Sequence, residues 1–491
     1  MVFSSITFLF LFLPGTLVAY HIMPRPARNA FLVAVSLLFY TWGAGWVVLV
    51  LIGSIAWNYI IGGGIERSVD REDRAAARRY LAIGVVVNVA ALVWFKYANF
   101  GVDQADMVLA SLGLPALPWK DVLLPIGISF YTFHSLSFLI DVYRGTARHL
   151  VNPIDFALYI AFFPQLIAGP IVRFHEIRDQ LVHRTETADQ FATGVLRFAH
   201  GLGKKVLIAD TVAPVADAVF AAPTDALGTS AAVLGTVAFA IQLYFDFSGY
   251  SDMAIGIALM FGIHLPENFE RPYSAASITE FWRRWHMSLS RWFRDYLYIP
   301  LGGNRGSAGA TYRNLIIVFL ITGLWHGAAW TFVLWGGYHG VLLLLERRYG
   351  IGRGGAIGGE VGGATPGGRP RAGGAYALAR TRTLILVLLG WVLFRAGSLP
   401  DAIGVYQAFL RPEIGLTPKV VVALDPMATI ALVVGALSFL LPASWVTGVR
   451  LELDRSLPVG GLRLAELALV LPIALLVAAA GGFSPFLYFQ F

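Results

Sequence analysis

The chain contains no cysteine among its 491 residues. That excludes disulfides, thiolate nucleophiles and Cys-ligated metal, so a covalent acyl intermediate would need another side chain. Charge is also scarce. Asp, Glu, Lys and Arg make up 14% of the sequence, where a soluble domain carries about 25%. With 57% hydrophobic residues and a mean hydropathy of +0.66, the composition is that of a polytopic membrane protein. The net charge is +7, yet no clustered basic domain exists, which argues against nucleic-acid binding. The excess fits loops retained in the cytoplasm by the positive-inside rule. There is no G-x-S-x-G elbow and no H-E-x-x-H or other metal-ligand spacing, so neither a serine hydrolase nor a metal site is expected. No internal repeat is evident, which disfavours a transporter built from paired halves.

What is present is a succession of apolar runs of membrane-spanning length. They lie near 4–20, 29–43, 45–62, 81–100, 122–142, 229–248, 313–331, 332–346, 383–397, 427–442 and 462–482, with shorter pieces near 154–170, 206–221 and 251–263. The expected fold is all-α, with about ten or eleven transmembrane helices. The first run has neither a basic leader nor a small-residue cleavage site, so it is expected to be retained. Arg67, Arg71, Arg74, Arg78 and Arg79 follow the third run, whereas 101–119 has no Lys or Arg. The 63–80 loop is therefore expected in the cytoplasm and the N-terminus outside.

Residues 154–170 break this alternation. Arg144 and Arg148 precede them, and Arg173, Arg178 and Arg184 follow. Pro164 and Gly169-Pro170 interrupt any helix there. A re-entrant segment lining a cavity open to the cytoplasm is expected. Residues 349–382 are rich in Gly and Arg and read as a cytoplasmic linker.

The polar centre of the chain is Ser277 to His326. Ser277 and Glu280 have the spacing of a capping box. Ile278, Phe281, Trp285, Leu289 and Trp292 then form an apolar stripe opposite Arg283, Arg284, Arg291 and Arg294, which predicts one interfacial helix with His286 at its edge. His326 lies within a later apolar run, between Trp325 and Gly327. An ionisable residue inside such a run is a functional candidate, although a packing histidine bonded to a carbonyl would look the same. Tyr244-Phe-Asp246-Phe-Ser-Gly-Tyr-Ser-Asp252 places two carboxylates in another run. Their spacing does not put them on one face, and a helix-breaking structural role is the simpler reading. Lys96, His134, Asp141 and His339 also fall in or near spans; Lys96 is expected to snorkel and Asp141 to pair with Arg144.

Phe163-Pro-Gln-Leu-Ile-Ala-Gly-Pro170, Tyr244 to Asp252, Phe281-Trp-Arg-Arg-Trp-His286-Met-Ser-Leu-Ser and Gly323-Leu-Trp-His326-Gly together resemble the membrane-bound O-acyltransferase superfamily, and within it the alginate O-acetylation branch. Met1-Val-Phe-Ser-Ser, Phe95 to Gly101, Leu124 to Phe130 and Asp295 to Arg305 extend the resemblance, which covers residues 1–348. It implies a membrane core over 1–348; composition and the later apolar runs add the 349–382 linker and C-terminal transmembrane helices over 383–491. It implies helices, including re-entrant and interfacial ones, ringed around a central funnel or pore. It implies a catalytic His326, with His286 nearer the cytoplasmic entrance. Trp325, Trp285, Arg284, Asp246 and Tyr244 become candidates for binding donor or substrate. The implied activity is acetyl transfer from a cytoplasmic thioester, acetyl-CoA, across a bacterial inner membrane for O-acetylation of an exopolysaccharide such as alginate. No resident cofactor or metal is implied. The implied partners are exopolysaccharide machinery and a separate periplasmic SGNH-type acetyltransferase. Peptidoglycan O-acetylation or D-alanylation of teichoic acid would use the same chemistry, and a transporter or secretion scaffold would use none of it. Where Asn is expected after His326-Gly-Ala, this chain has Ala329-Trp330.

Overall fold

A computed structural model describes residues 2–351, 374–441, 461–480 and 486–487. The described residues form helices and connecting segments, with no strand among them. In chain order the helices are α1 (Phe8–Ile22), α2 (Arg28–Ala44), α3 (Val48–Asp70), α4 (Arg74–Ser111), α5 (Ile128–Arg144), α6 (Pro153–Ala161), α7 (Phe163–Leu166), α8 (Phe174–Val182), α9 (Ala188–Gly203) and α10 (Asp210–Phe220). There follow α11 (Thr229–Met260), α12 (Ile278–Arg284), α13 (Met287–Phe293), α14 (Ala308–His326), α15 (Trp330–Arg348), α16 (Gly374–Arg395), α17 (Leu399–Ala408), α18 (Pro418–Ala423), α19 (Pro426–Leu440) and α20 (Gly461–Ala480). The protein is a polytopic all-α membrane protein. Among the described residues, five helical stretches, Arg25–Asp70 and those of α4, α11, α14 and α16, are long and apolar enough to cross a membrane, and α1, α19 and Leu467–Ala480 are shorter apolar helices.

Each expected apolar run falls on a helix, but two expectations fail locally. The Tyr244–Asp252 stretch does not break its helix: 229–248 and 251–263 merge into the continuous α11. The single interfacial helix expected from Ser277 is two helices of seven residues, α12 and α13, parted at Trp285 and His286. The cause is backbone geometry. His286 adopts φ 44° and ψ 54°, the left-handed region, which ends one helix and caps the next. The 154–170 segment is interrupted as Pro164 predicts, into α6 and the four-residue α7. Of the expected linker, 352–373 lie outside the described residues, and α16 begins at Gly374, before the expected 383.

The chain divides into two compact units. The first comprises 1–206, 247–267 and 456–491. An aromatic core anchors it: Phe3 stacks on Tyr250 at 4.6 Å, and Phe8, Phe39 and Phe163 pack around them. Here α9 meets the later part of α11 through glycines. A Cβ on Gly201 would come 2.5 Å from the Gly249 carbonyl oxygen, and one on Gly256 would come 2.6 Å from that of Gly194. Small residues let backbones approach this closely in a membrane. Beside the crossing, buried Asp252 accepts from Arg197 Nε at 2.8 Å and from Lys204 Nζ at 2.6 Å, and Arg197 also pairs with Glu267 at 2.6 Å. Asp252 is thus structural glue, held by cations. Asp141 accepts from His175 Nδ1 at 2.8 Å, and buried His134 Nε2 accepts from the Val172 N–H at 3.3 Å.

The second unit comprises 207–246 and 268–455. Val219, Leu227, Ala231, Val392, Val405 and Val420 belong to one of its apolar cores. The other core is aromatic and holds the candidate site.

Candidate functional site

The site begins with how α14 ends. His326 is its last residue and is buried. Two glycines of the Gly323-Leu-Trp-His-Gly327 motif make that position possible. A Cβ on Gly323 would overlap the Phe332 carbonyl oxygen, and one on Gly336 would overlap that of Phe319. This small-residue contact brings α14 and α15 together. Gly327 has extended backbone that any residue adopts (φ −164°), but a side chain there would run into the Phe332 ring. The His326 imidazole then sits edge-on among Trp325 (4.8 Å between centroids), Trp335 (5.0 Å) and Phe394 (5.1 Å). Apolar walls of this kind exclude water around the imidazole while leaving its nitrogens as the polar groups.

His286 belongs to the same cluster. Its ring is fully buried and lies 6.1 Å from Trp325, the residue next to His326. Phe269 stacks on its other side at 6.4 Å. The His286 turn is clamped by the segment before α12. The Met287 N–H donates to the Asn268 carbonyl at 2.9 Å, and the Glu270 N–H donates to the Arg284 carbonyl at 2.9 Å. His286 Nδ1 lies 3.1 Å from Asn268 Oδ1.

Among the binding candidates, Trp325 links the two histidines. Trp285 and Tyr244 meet at 6.3 Å within an aromatic wall that includes Trp391, 5.0 Å from Trp285. Trp391 also contacts Trp335 and Phe394, so this wall is continuous with the His326 surroundings. Arg284 pairs with Glu280 at 2.6 Å and donates to Ser274 Oγ at 2.8 Å, which makes it a brace for the turn. Asp246 is buried on α11 two residues after Tyr244.

Half of the expected capping box forms: Ser277 Oγ accepts from the Glu280 N–H at 3.1 Å, but the Glu280 carboxylate takes the Ala276 N–H at 2.8 Å. The remaining α12 donors go to Glu346, from the end of α15. It accepts from the Ile278 N–H (2.6 Å), the Thr279 N–H (2.8 Å) and Thr279 Oγ1 (2.8 Å). Sequence reasoning missed Glu346, although a carboxylate closing an apolar run was a usable signal. It also missed Asn268, Trp335 and Phe394, for which no local pattern speaks. His339 is buried against Trp335 and accepts from Trp282 Nε1 at 3.3 Å, a packing role at the edge of the cluster.

A buried imidazole at a helix end, with a second imidazole beyond one indole, can move a proton to or from a hydroxyl in a dry site. Comparison with known proteins places the chain among acyltransferases. Residues 37–350 match the model of MBOAT, the membrane-bound O-acyltransferase family. The chain is 49% identical to a probable alginate O-acetylase of Pseudomonas aeruginosa, over 83% of this chain and 74% of that protein. It is 44% identical to a probable alginate O-acetylase of Pseudomonas putida over the full length of both. It is 37% identical to a peptidoglycan O-acetyltransferase of Helicobacter pylori, over 84% of this chain and 80% of that protein.

Proposed function

Because this chain belongs to the membrane-bound O-acyltransferase family, we propose that it carries acetyl groups from a cytoplasmic thioester, acetyl-CoA, across the bacterial inner membrane for O-acetylation of an exopolysaccharide such as alginate. At the coarser level the protein is a multi-pass membrane acyltransferase that O-acetylates a polysaccharide. The observation that carries the finer reading is the position of His326, buried at the end of α14 in an aromatic box one indole away from His286.

In the proposed reaction the acetyl thioester enters from the cytoplasmic side, past His286 and Arg284. The His326 imidazole takes the proton of the attacking hydroxyl. The new carbon–oxygen bond forms, the carbon–sulfur bond breaks, and the departing thiolate takes up a proton. Base catalysis of this kind contributes about 10²–10⁴-fold. A variant of the scheme has the imidazole itself receive the acetyl group and pass it on; both place the same residue at the reacting carbon. A separate periplasmic acetyltransferase of SGNH type would set the group on the polymer. The arginine-rich 63–80 segment supports a cytoplasmic location for that loop, with the N-terminus outside.

A second acceptor, peptidoglycan, is favoured by the Helicobacter relative. Expression in cells that make alginate and, separately, in cells lacking peptidoglycan O-acetylation distinguishes the two. His326→Ala is expected to abolish polymer acetylation at normal protein levels. Full acetylation by that variant would contradict the role assigned to it.

A further inference from the structure

We infer that Asn268 is a positioning residue that fixes the protonation pattern of the His286 ring. The inference rests on the reading of His286 as part of the acyl-transfer site. Asn268 is buried, and its Oδ1 lies 3.1 Å from His286 Nδ1. The same oxygen accepts from the Ser288 N–H at 3.2 Å and from Ser288 Oγ at 2.8 Å.

Those contacts decide which way the amide points. A backbone N–H can only donate, so the Asn268 atom facing Ser288 is the oxygen. An oxygen accepts, so His286 Nδ1 carries the hydrogen. In the neutral ring the lone pair therefore resides on Nε2. A histidine whose Nδ1 is held in this way presents a single nitrogen for proton transfer.

The turn's backbone is held by main-chain groups, through Met287 N–H to the Asn268 carbonyl and Glu270 N–H to the Arg284 carbonyl. Substituting the Asn268 amide leaves those bonds in place and removes the acceptor that selects the His286 tautomer. The competing account makes Asn268 only a cap for the Ser288 N–H at the start of α13.

The test uses the full-length protein in nanodiscs with radiolabelled acetyl-CoA, following label released or transferred. The variants are Asn268→Leu, Asn268→Asp, His286→Ala and the double variant His286→Ala/Asn268→Leu. Asn268→Leu is expected to lower kcat at least tenfold, within the ~10²–10⁴-fold range of acid–base catalysis, with KM unchanged. Asn268→Asp keeps an acceptor and is expected to stay within about tenfold of wild type. In the His286→Ala background, Asn268→Leu is expected to have no further effect, because the two residues act as one unit. Equal losses from Asn268→Leu in both backgrounds would overturn the inference in favour of the capping account. An Asn268→Asp variant that assembles normally yet falls more than tenfold below wild type would also overturn the inference, whether or not Asn268→Leu assembles. A His286→Ala protein with wild-type kcat would overturn the inference together with the reading of His286, a pattern distinct from failure of Asn268 alone.

Discussion

His286 occupies a backbone region that costs a non-glycine residue of order 1–3 kcal/mol. Asn tolerates that region better than most side chains. His286→Asn is therefore expected to fold with a thermal midpoint at or above wild type while losing acetyl transfer, measured by thermal unfolding and label release on one preparation. A variant that loses stability and activity together would make His286 a structural residue. His326 was legible as a residue because an ionisable side chain inside an apolar run is costly and therefore conspicuous. Asn268 was not legible. Its contacts reach across a turn to residues 18 and 20 positions away, which no local periodicity encodes.

At the scale of elements, the α14–α15 pair positions His326, and its contact depends on hydrogen as the side chain at Gly323 and Gly336. Gly323→Ala is expected to destabilise by roughly 1–3 kcal/mol, the usual cost of overpacking. It should also lower kcat, since helix separation displaces the imidazole. Wild-type activity in that variant would separate the helix contact from the site. The α9–α11 crossing predicts an effect in the first unit. Asp252→Asn deprives half-buried Arg197 and Lys204 of their shared carboxylate, Arg197 keeping only Glu267, at a cost of up to about 3 kcal/mol. Loss of folded protein, followed by size-exclusion chromatography, is the expected result. A third element prediction concerns α8. The hydrogen bond to Asp141 raises the His175 pKa above its usual 6.5. A raised folded-state value means that the pair's stabilisation is complete below 6.5 and fades as pH rises through the raised value. His175→Gln should flatten that part of the stability–pH profile above 6.5. The long apolar helices were legible from their runs, whereas α8, α9, α17 and α18 lie outside every expected run. The break at His286 was not, because the stripe from Ile278 to Trp292 keeps helical spacing across it and only the clamp by residues 268–270 shows where the chain turns.

At the scale of the molecule, composition alone identified a polytopic membrane protein, and the motifs identified its family. The fold gathers His286, at the junction of α12 and α13, with Trp325, His326, Trp335 and Phe394 of α14, α15 and α16 into one cluster within the second unit. Trp335 and Phe394 sit in the 332–346 and 383–397 runs, where nothing in the local pattern marks them out, so their place around His326 could not be foreseen. The central claim is that this molecule consumes an acetyl thioester at His326. Thioester cleavage by purified protein in nanodiscs, with radiolabelled acetyl-CoA and a periplasmic SGNH acetyltransferase present, tests it most directly. The account predicts label released or transferred by wild type and not by His326→Ala. Equal turnover by both proteins, or none by wild type with the partner enzyme present, would contradict it.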